Sequence, residues 1–253
     1  MSEALDLSKL EPELMKSITN NVVALEFLKE VARFNKAKEP TAEQTDSLVE
    51  KSAELISKLL KGINKYPTSH RENYGEWFYN NAATRLLPHY RTAPASTRYH
   101  GSFPGGLCVH TAAVMALCCS YHVSDLWHHN APLSYILVAA FLHDIGKLGF
   151  LEFAEKHDLM YVYSHYYYNP KEGEDGYKRN PKVPDHVETG QYNLLKLVLA
   201  VGEDSFIPIP VWEAITYHNG AYTETLKWPM KGNESGLLLF LHFCDCLASR
   251  SYI

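Results

Sequence analysis

The sequence predicts a predominantly α-helical fold that carries one small β-hairpin or flap insertion. Apolar residues recur at helical spacing within residues 48–60, near the N-terminus. Two later segments, 132–147 and 235–250, are apolar nearly all round, which is typical of helices surrounded by other helices. Between them, residues 159–168 have the aromatic and β-branched composition of strands.

The chain is predicted to contain two units. Residues 1–65 are expected to form a helical N-terminal segment of two or three amphipathic helices. Thr41, with Gln44 or Thr45, is the predicted cap of one of these helices. Residues 66–253 are expected to form the second, larger unit.

The larger unit is predicted to hold most of the helices. A loop broken by Pro104 and the Gly105-Gly106 pair precedes the first of them. Residues 159–184 combine the strand-like segment with a run rich in proline, glycine and charge, so the hairpin or flap is expected there. The helices are expected at about residues 107–122, 132–147, 186–202, 209–218 and 235–250.

The composition is that of a globular protein, because hydrophobic residues make up 46% and charged residues 21% of the chain. A net charge of -5 does not provide the excess of basic residues that proteins use to bind long nucleic acid. The charge therefore favours a small or short substrate. No targeting segment is visible, and no stretch approaches the roughly 18 to 20 apolar residues of a membrane span. We therefore expect a cytoplasmic protein without a membrane partner. The cysteines are expected to be reduced core residues: Cys108, Cys118, Cys119, Cys244 and Cys246.

The sharpest chemical signal is the stretch FLHDIGK, which ends a predicted buried helix. In it His143 and Asp144 are adjacent, and Lys147 follows Asp144 at the i+3 position. Ionisable groups crowded at a buried helix end need a partner, and a divalent cation bound by histidine nitrogen and aspartate oxygen meets that need. An isolated pair of this kind is more often a hydrogen-bonded histidine beside an ion-paired aspartate, so the interpretation depends on further ligands.

Two further residues supply that context. His110 follows the Gly-Gly loop near the start of a predicted helix. Taken alone, it is more often a satisfied core histidine. Asp245 lies within residues 237–247, a run so apolar that a carboxylate without a partner there is costly.

With these residues on separate helices, the sequence resembles the HD superfamily of metal-dependent phosphohydrolases over about residues 94–251. The segment PASTRYHGSFPGGLCVHT, residues 94–111, is similar to the HD domains of YhaM-type exoribonucleases and of some conjugative relaxases. One departure is that Tyr99-His100 stands where those families commonly have a histidine pair.

The resemblance also implies a second metal ion. His186, which opens a predicted helix, and His218, which closes one, match positions at which two-metal members place extra ligands. Taken alone, each is more often an ordinary residue at a helix end. Together they favour two divalent cations (Mn, Fe, Ni, Co or Mg), with Asp144 as the bridging carboxylate and a metal-bridging hydroxide as the nucleophile. The implied metal ligands are His110, His143, Asp144, His186, His218 and Asp245.

The substrate implied by the resemblance is a nucleotide or the end of a short single-stranded nucleic acid. Lys147 is expected to act with Asp144 in catalysis and to contact a phosphate oxygen as a point charge. Arg98 and His100 are the next candidates for contact with phosphate or leaving group. The tyrosine-rich flap is a candidate for stacking a base and steering phosphate, although such strands are more often simple packed hairpins. Its basic residues are Lys171, Lys178, Arg179 and Lys182.

Two other functions use the same residues. Some HD proteins, similar to inositol oxygenase, hold two irons on the same order of ligands and activate dioxygen. A regulatory protein that binds a nucleotide on an HD scaffold is the third hypothesis. The other histidines have no pattern that assigns them a role; His242, one turn before Asp245, is noted as a residue that could support Asp245. The oligomeric state is left open.

Overall fold

The computed structural model describes residues 12–37, 40–97, 100–122, 131–153, 159–168, 176–202, 207–220 and 234–250. Within them the fold is predominantly α-helical with small antiparallel β elements, which confirms the predicted fold class. The helices are α1 (Pro12–Lys36), α2 (Ala42–Lys61), α3 (Tyr74–Phe78), α4 (Thr84–Tyr90), α5 (Gly106–His122), α6 (Leu133–Leu142), α7 (His186–Val201), α8 (Ile209–Tyr217) and α9 (Gly236–Ser249). A π-helical turn, Tyr79–Ala83, joins α3 to α4.

The N-terminal helices form as predicted and pack against the rest of the chain. Thr41 and Gln44 make the capping box of α2: the Gln44 backbone N–H donates to Thr41 Oγ1 at 3.2 Å, and the Thr41 N–H donates to the Gln44 side chain at 2.9 Å. Both α1 and α2 lie on α5, and their buried side chains belong to the same hydrophobic core as those of the later helices. The division into two units at residue 65 remains a prediction.

Helix α5 lies at the centre of the molecule, between α1, α2, α6 and α9. The loop before it folds closely on itself, because a Cβ atom added to Gly106 would lie 1.9 Å from the carbonyl oxygen of Gly101. Gly105, with φ +81°, adopts the left-handed backbone that favours glycine. This loop therefore fixes the start of α5 and the position of His110, one turn into the helix.

Helix α6 ends earlier than the sequence predicts. The segment 132–147 was expected to be one helix, but α6 stops at Leu142 and a 3-10 turn follows over Ile145–Leu148. Asp144 lies between the two with φ -104° and ψ 17°, outside the helical region. Hydrophobicity cannot reveal this break, because the residues on both sides of it are buried.

Buried side chains satisfy the backbone at this break. The hydroxyl of Tyr90 donates to the carbonyl of Phe141 at 3.0 Å. The Asn193 amide donates to the carbonyls of Ile145 (3.1 Å) and Gly149 (2.7 Å), and its oxygen accepts from the Leu151 N–H at 3.1 Å. Buried carbonyls need such partners. Asn193 on α7 thus holds the turn that presents Asp144.

The β elements form two separate two-stranded antiparallel sheets. Strand β1 (Phe150–Phe153) pairs with β2 (Leu159–Tyr163), and β3 (Tyr166–Tyr168) pairs with β4 (Tyr177–Arg179). The predicted flap therefore contains a hairpin, formed by β3 and β4. The earlier strand of the flap, β2, pairs instead with β1, and the sequence did not predict that pairing.

Among the described residues, no helix combines the length and apolar character needed to cross a membrane. All cysteines are free thiols, buried except for Cys246, which is half-buried.

The contact between the 3-10 turn and α7 leads to a prediction about stability. A Cβ atom added to Gly146 would lie 1.7 Å from the backbone oxygen of His186, whereas one added to Gly190, across the same contact, would meet Gly146 only at 3.5 Å. We expect Gly146→Ala to lower the free energy of unfolding by about 2 kcal/mol or more, because backbone must move. Gly190→Ala, the matched control in a helix, is expected to change it by less than about 1 kcal/mol. Urea denaturation measures both, and equal effects of the two substitutions would contradict the close contact.

Candidate metal centre

Five helices bring the six predicted ligand residues to one place. His110 comes from α5, and His143 with Asp144 follows the end of α6. His186 is the first residue of α7, His218 follows the last residue of α8, and Asp245 lies on α9. Of the six residues, most lie where a helix begins or ends, which frees their side chains to point into a shared space.

Asp144 is the centre of the cluster, and its two oxygens face different histidines. Oδ2 lies 3.3 Å from Nε2 of His110 and 3.3 Å from Nε2 of His143. Oδ1 lies 3.5 Å from Nε2 of His218 and 3.8 Å from Nε2 of His186. The carboxylate therefore separates the four histidines into two pairs.

Asp245 adds a second carboxylate to the first pair. Its Oδ1 lies 3.1 Å from Nε2 of His110 and 3.9 Å from Nε2 of His143. The Ser249 hydroxyl, one turn later on α9, donates to the same oxygen at 3.3 Å. The Nε2 atoms of His110 and His143 are 3.3 Å apart, so both rings point at one region of space.

Backbone carbonyls orient two of the rings. Nδ1 of His143 donates to the carbonyl of Ala140 at 2.7 Å, and Nδ1 of His218 donates to the carbonyl of Ile215 at 2.6 Å. Donation from Nδ1 leaves the Nε2 lone pair directed at the carboxylates, and this is how metal-ligating histidines are usually fixed. His186 instead has Nδ1 3.4 Å from the carboxylate of Asp185.

The carboxylates are buried and negatively charged. Burial by itself raises the pKa of Asp144, but the Lys147 ammonium and the neighbouring histidines outweigh it and hold that pKa well below its usual range. For Asp245, burial is likewise outweighed, here by the hydrogen bond and charge of His110. Lys147 is the ion-pair partner of Oδ2, whereas no described residue donates a hydrogen bond of good angle to Oδ1 of Asp144. Buried charge with spare lone pairs is costly in free energy, and a bound cation would relieve that cost.

The pKa values of the histidines are also compatible with a bound cation. Burial lowers the pKa of His186 to about 3, so its imidazole is neutral, as a metal ligand must be. Burial also disfavours the charged forms of His110 and His218, but the adjacent carboxylate of Asp144 more than compensates and raises the pKa of both. A cation binding here would displace those protons, so metal affinity is expected to fall at low pH.

Three overlapping groups could therefore hold a metal ion. In each group the ligand atoms all lie within 4.8 Å of one another. Nitrogen from histidine with oxygen from aspartate suits divalent transition metals. The groups are His110, His143 and Asp144; His143, His218 and Asp245; and Asp144, His186 and His218.

Of the predicted substrate contacts, two lie at this cluster. Nζ of Lys147 is 2.6 Å from Oδ2 of Asp144, and the lysine side chain is only 11% exposed. The ring of His100 lies 4.8 Å from that of His110, and its Nε2 is buried without a hydrogen-bond partner among the described residues. Burial lowers the pKa of His100 to about 3. Arg98 and the flap residue Lys171 lie outside the described residues.

Three residues near the site had no assigned role in the sequence. Asn193 holds the turn that carries Asp144, and only its position on a mostly apolar helix could have hinted at this. His165 is 2% exposed, and its ring lies 6.2 Å from that of His186. His242 hydrogen-bonds through Nδ1 to the carbonyl of His218 at 2.5 Å, so it supports the backbone of His218.

A groove separate from the histidine and aspartate cluster lies between the two N-terminal helices. The groove between α1 and α2 encloses about 720 Å³ and is lined by residues such as Phe34 and Leu48. Among its described lining residues there is no histidine, cysteine or aspartate, and the ion pair of Lys51 with Glu30 lies across it. Among the described residues, the groups that could hold a metal ion lie around Asp144 and not in this groove.

Metal binding should stabilise the fold through Asp144. We expect Mn²⁺ at about a hundred times its dissociation constant to add roughly 2.7 kcal/mol to the free energy of unfolding, a rise in melting temperature of roughly 5 to 10 °C. Asp144→Asn should lose most of this rise, because both ligand groups that share the carboxylate lose a charge. Asp46→Asn, on the exposed face of α2, is the control and should keep it. Thermal melts with and without Mn²⁺ test this, and an equal response of the two variants would contradict it.

Comparisons with known proteins found no match among protein-family models, curated proteins or solved structures. What can be stated of this chain therefore comes from its own residues: a helical protein with a buried cluster of four histidines and two aspartates that could hold metal.

Proposed function

We propose that this chain is an HD-type metal-dependent phosphohydrolase or phosphodiesterase that acts on a nucleotide-type phosphoester. The single observation that carries the proposal is the placement of Asp144, whose two oxygens face separate pairs of histidines. The motif resemblance to the HD superfamily supports the same function.

Two divalent cations fit the ligand set better than one. On the Oδ2 side of Asp144, His110, His143 and Asp245 offer three further donor groups. On the Oδ1 side, His186 and His218 offer two. Six donor groups exceed what the first coordination shell of a single tetrahedral ion takes, and a carboxylate placed between two groups of ligands is the usual bridge of two-metal hydrolases.

The proposed reaction follows from the donor set. Two divalent cations, when bound, would supply a deprotonated water near neutral pH and neutralise charge on a phosphoryl group. The protein holds the imidazoles and carboxylates in place through the carbonyls of Ala140 and Ile215 and through the Asn193 amide. It also excludes bulk water, since five of the six ligand residues are buried.

Lys147 and His100 are the proposed substrate-binding residues on the Oδ2 side. The ammonium of Lys147 already lies against a carboxylate oxygen, and its charge suits a phosphoryl oxygen equally well. His100 offers an Nε2 that no described residue satisfies. A bound phosphoester would provide partners for both side chains.

The substrate class is proposed from charge and from the flap. A net charge of -5 argues against wrapping long nucleic acid, whereas Lys178 and Arg179 on β4 place positive charge on the hairpin that also carries Tyr166. A nucleotide or a short single-stranded end is the substrate we propose. A cytoplasmic location likewise stays a prediction.

The decisive experiment combines metal analysis with an activity screen in the absence of dioxygen. The substrates are bis-p-nitrophenyl phosphate, mononucleotides, cyclic nucleotides and short RNA and DNA oligonucleotides, each with Mn²⁺. We expect about two ions per chain and hydrolysis that needs no dioxygen. His186→Ala should lower kcat at least about a hundredfold, because even the supporting partners of metal ligands matter on that scale.

His89→Ala is the matched control, since His89 is a half-buried histidine on α4 that belongs to none of the metal-binding groups. Its kcat and metal content should equal those of the unaltered protein. Turnover that requires dioxygen and iron would replace the hydrolase with the oxygenase alternative. Nucleotide binding without turnover would favour the regulatory one.

A further inference from the structure

His165 is a buried histidine beside the candidate site that the six-ligand arrangement does not use. It lies just before β3 and is 2% exposed, and its Nδ1 has no hydrogen-bond partner among the described residues. An unsatisfied buried nitrogen is unfavourable, so we expect a partner such as a bound ligand to satisfy it. None of the three metal-binding groups includes it.

The position of His165 connects it to one side of the cluster. Its ring lies 6.2 Å from the ring of His186, and the Tyr166 ring meets it edge-on at 4.6 Å. His186 belongs to the pair that faces Oδ1 of Asp144. His165 therefore borders the His186 side, whereas His100 borders the His110 side at a ring distance of 4.8 Å.

The backbone around His165 is held by hydrogen bonds, whereas its Nδ1 has no partner among the residues that the structure describes. The Asn180 N–H donates to the carbonyl of His165 at 2.8 Å, and the Asn180 amide donates to the carbonyl of Ser164 at 3.1 Å. Tyr166 pairs with Arg179 across the β3–β4 sheet. The hairpin thus holds the ring against the cluster at a defined place, as a substrate-contacting residue requires.

We propose that His165 contacts the substrate: its Nδ1–H donates a hydrogen bond to a phosphoryl oxygen on the His186 side of the site. This assignment rests on the proposed function. It makes the β3–β4 hairpin a wall of the substrate pocket on the His186 side, whereas His100 borders the His110 side.

The test measures binding of inorganic phosphate to the Mn²⁺-loaded protein by calorimetry, together with metal content and melting temperature. His165→Phe keeps the ring volume and removes the donor, and His165→Gln keeps a donor in case the first variant fails to fold. We expect about tenfold weaker phosphate binding for His165→Phe, the scale of one hydrogen bond to a charged group, and a smaller loss for His165→Gln. Metal content should stay unchanged in both. Tyr167→Phe, at an exposed position on the same hairpin, is the control and should bind phosphate normally.

Three outcomes would overturn the assignment. Phosphate binding by His165→Phe equal to that of the unaltered protein removes the contact. Loss of metal from both His165 variants makes the residue a support of the metal ligands. Absence of phosphate binding by the unaltered, metal-loaded protein removes the subsite. The proposed function fails separately, when the unaltered protein binds metal and phosphate but hydrolyses none of the phosphoesters.

Discussion

The structure depends on burying one carboxylate among four imidazoles. Asp144 is 1% exposed, and Lys147 and the histidines of four helices surround it. A charge in such a place is tolerated only when every neighbour is positioned to compensate for it. The folding problem for this chain is therefore to bring the ends of several helices to within a few ångströms of one point while keeping each backbone polar group satisfied.

Hydrogen bonds to backbone carbonyls and one close backbone contact hold these helix ends in place. The break after α6 exposes carbonyls that the Asn193 amide and the Tyr90 hydroxyl satisfy from neighbouring helices. Gly146 lets the turn lie directly on the first residues of α7, and a side chain there would collide with the backbone of His186. The close packing that supports the fold thus also sets the distance between Asp144 and His186. Stability and site geometry are consequences of the same contacts.

Sequence reasoning predicted the parts of this structure that have a periodic or local signal. The spacing of apolar residues predicted the helices, and the Thr41 cap appeared as expected. The order of histidines and aspartates predicted which residues meet. The early end of α6 was not predicted, because the Asn193 amide that satisfies the carbonyls of the turn is remote in sequence. His165 was missed because a histidine in a tyrosine-rich strand segment carries no pattern until the hairpin places it beside His186.

The central proposal is that the Asp144 carboxylate would be shared by two bound cations, and a crystal structure of the Mn²⁺-loaded protein with anomalous scattering tests it most directly. We predict two anomalous peaks roughly 3.5 to 4 Å apart. One should lie beside Oδ2 of Asp144 with His110, His143 and Asp245, and the other beside Oδ1 with His186 and His218. A single peak, or none with Lys147 still paired to Asp144 at saturating Mn²⁺, would contradict the claim.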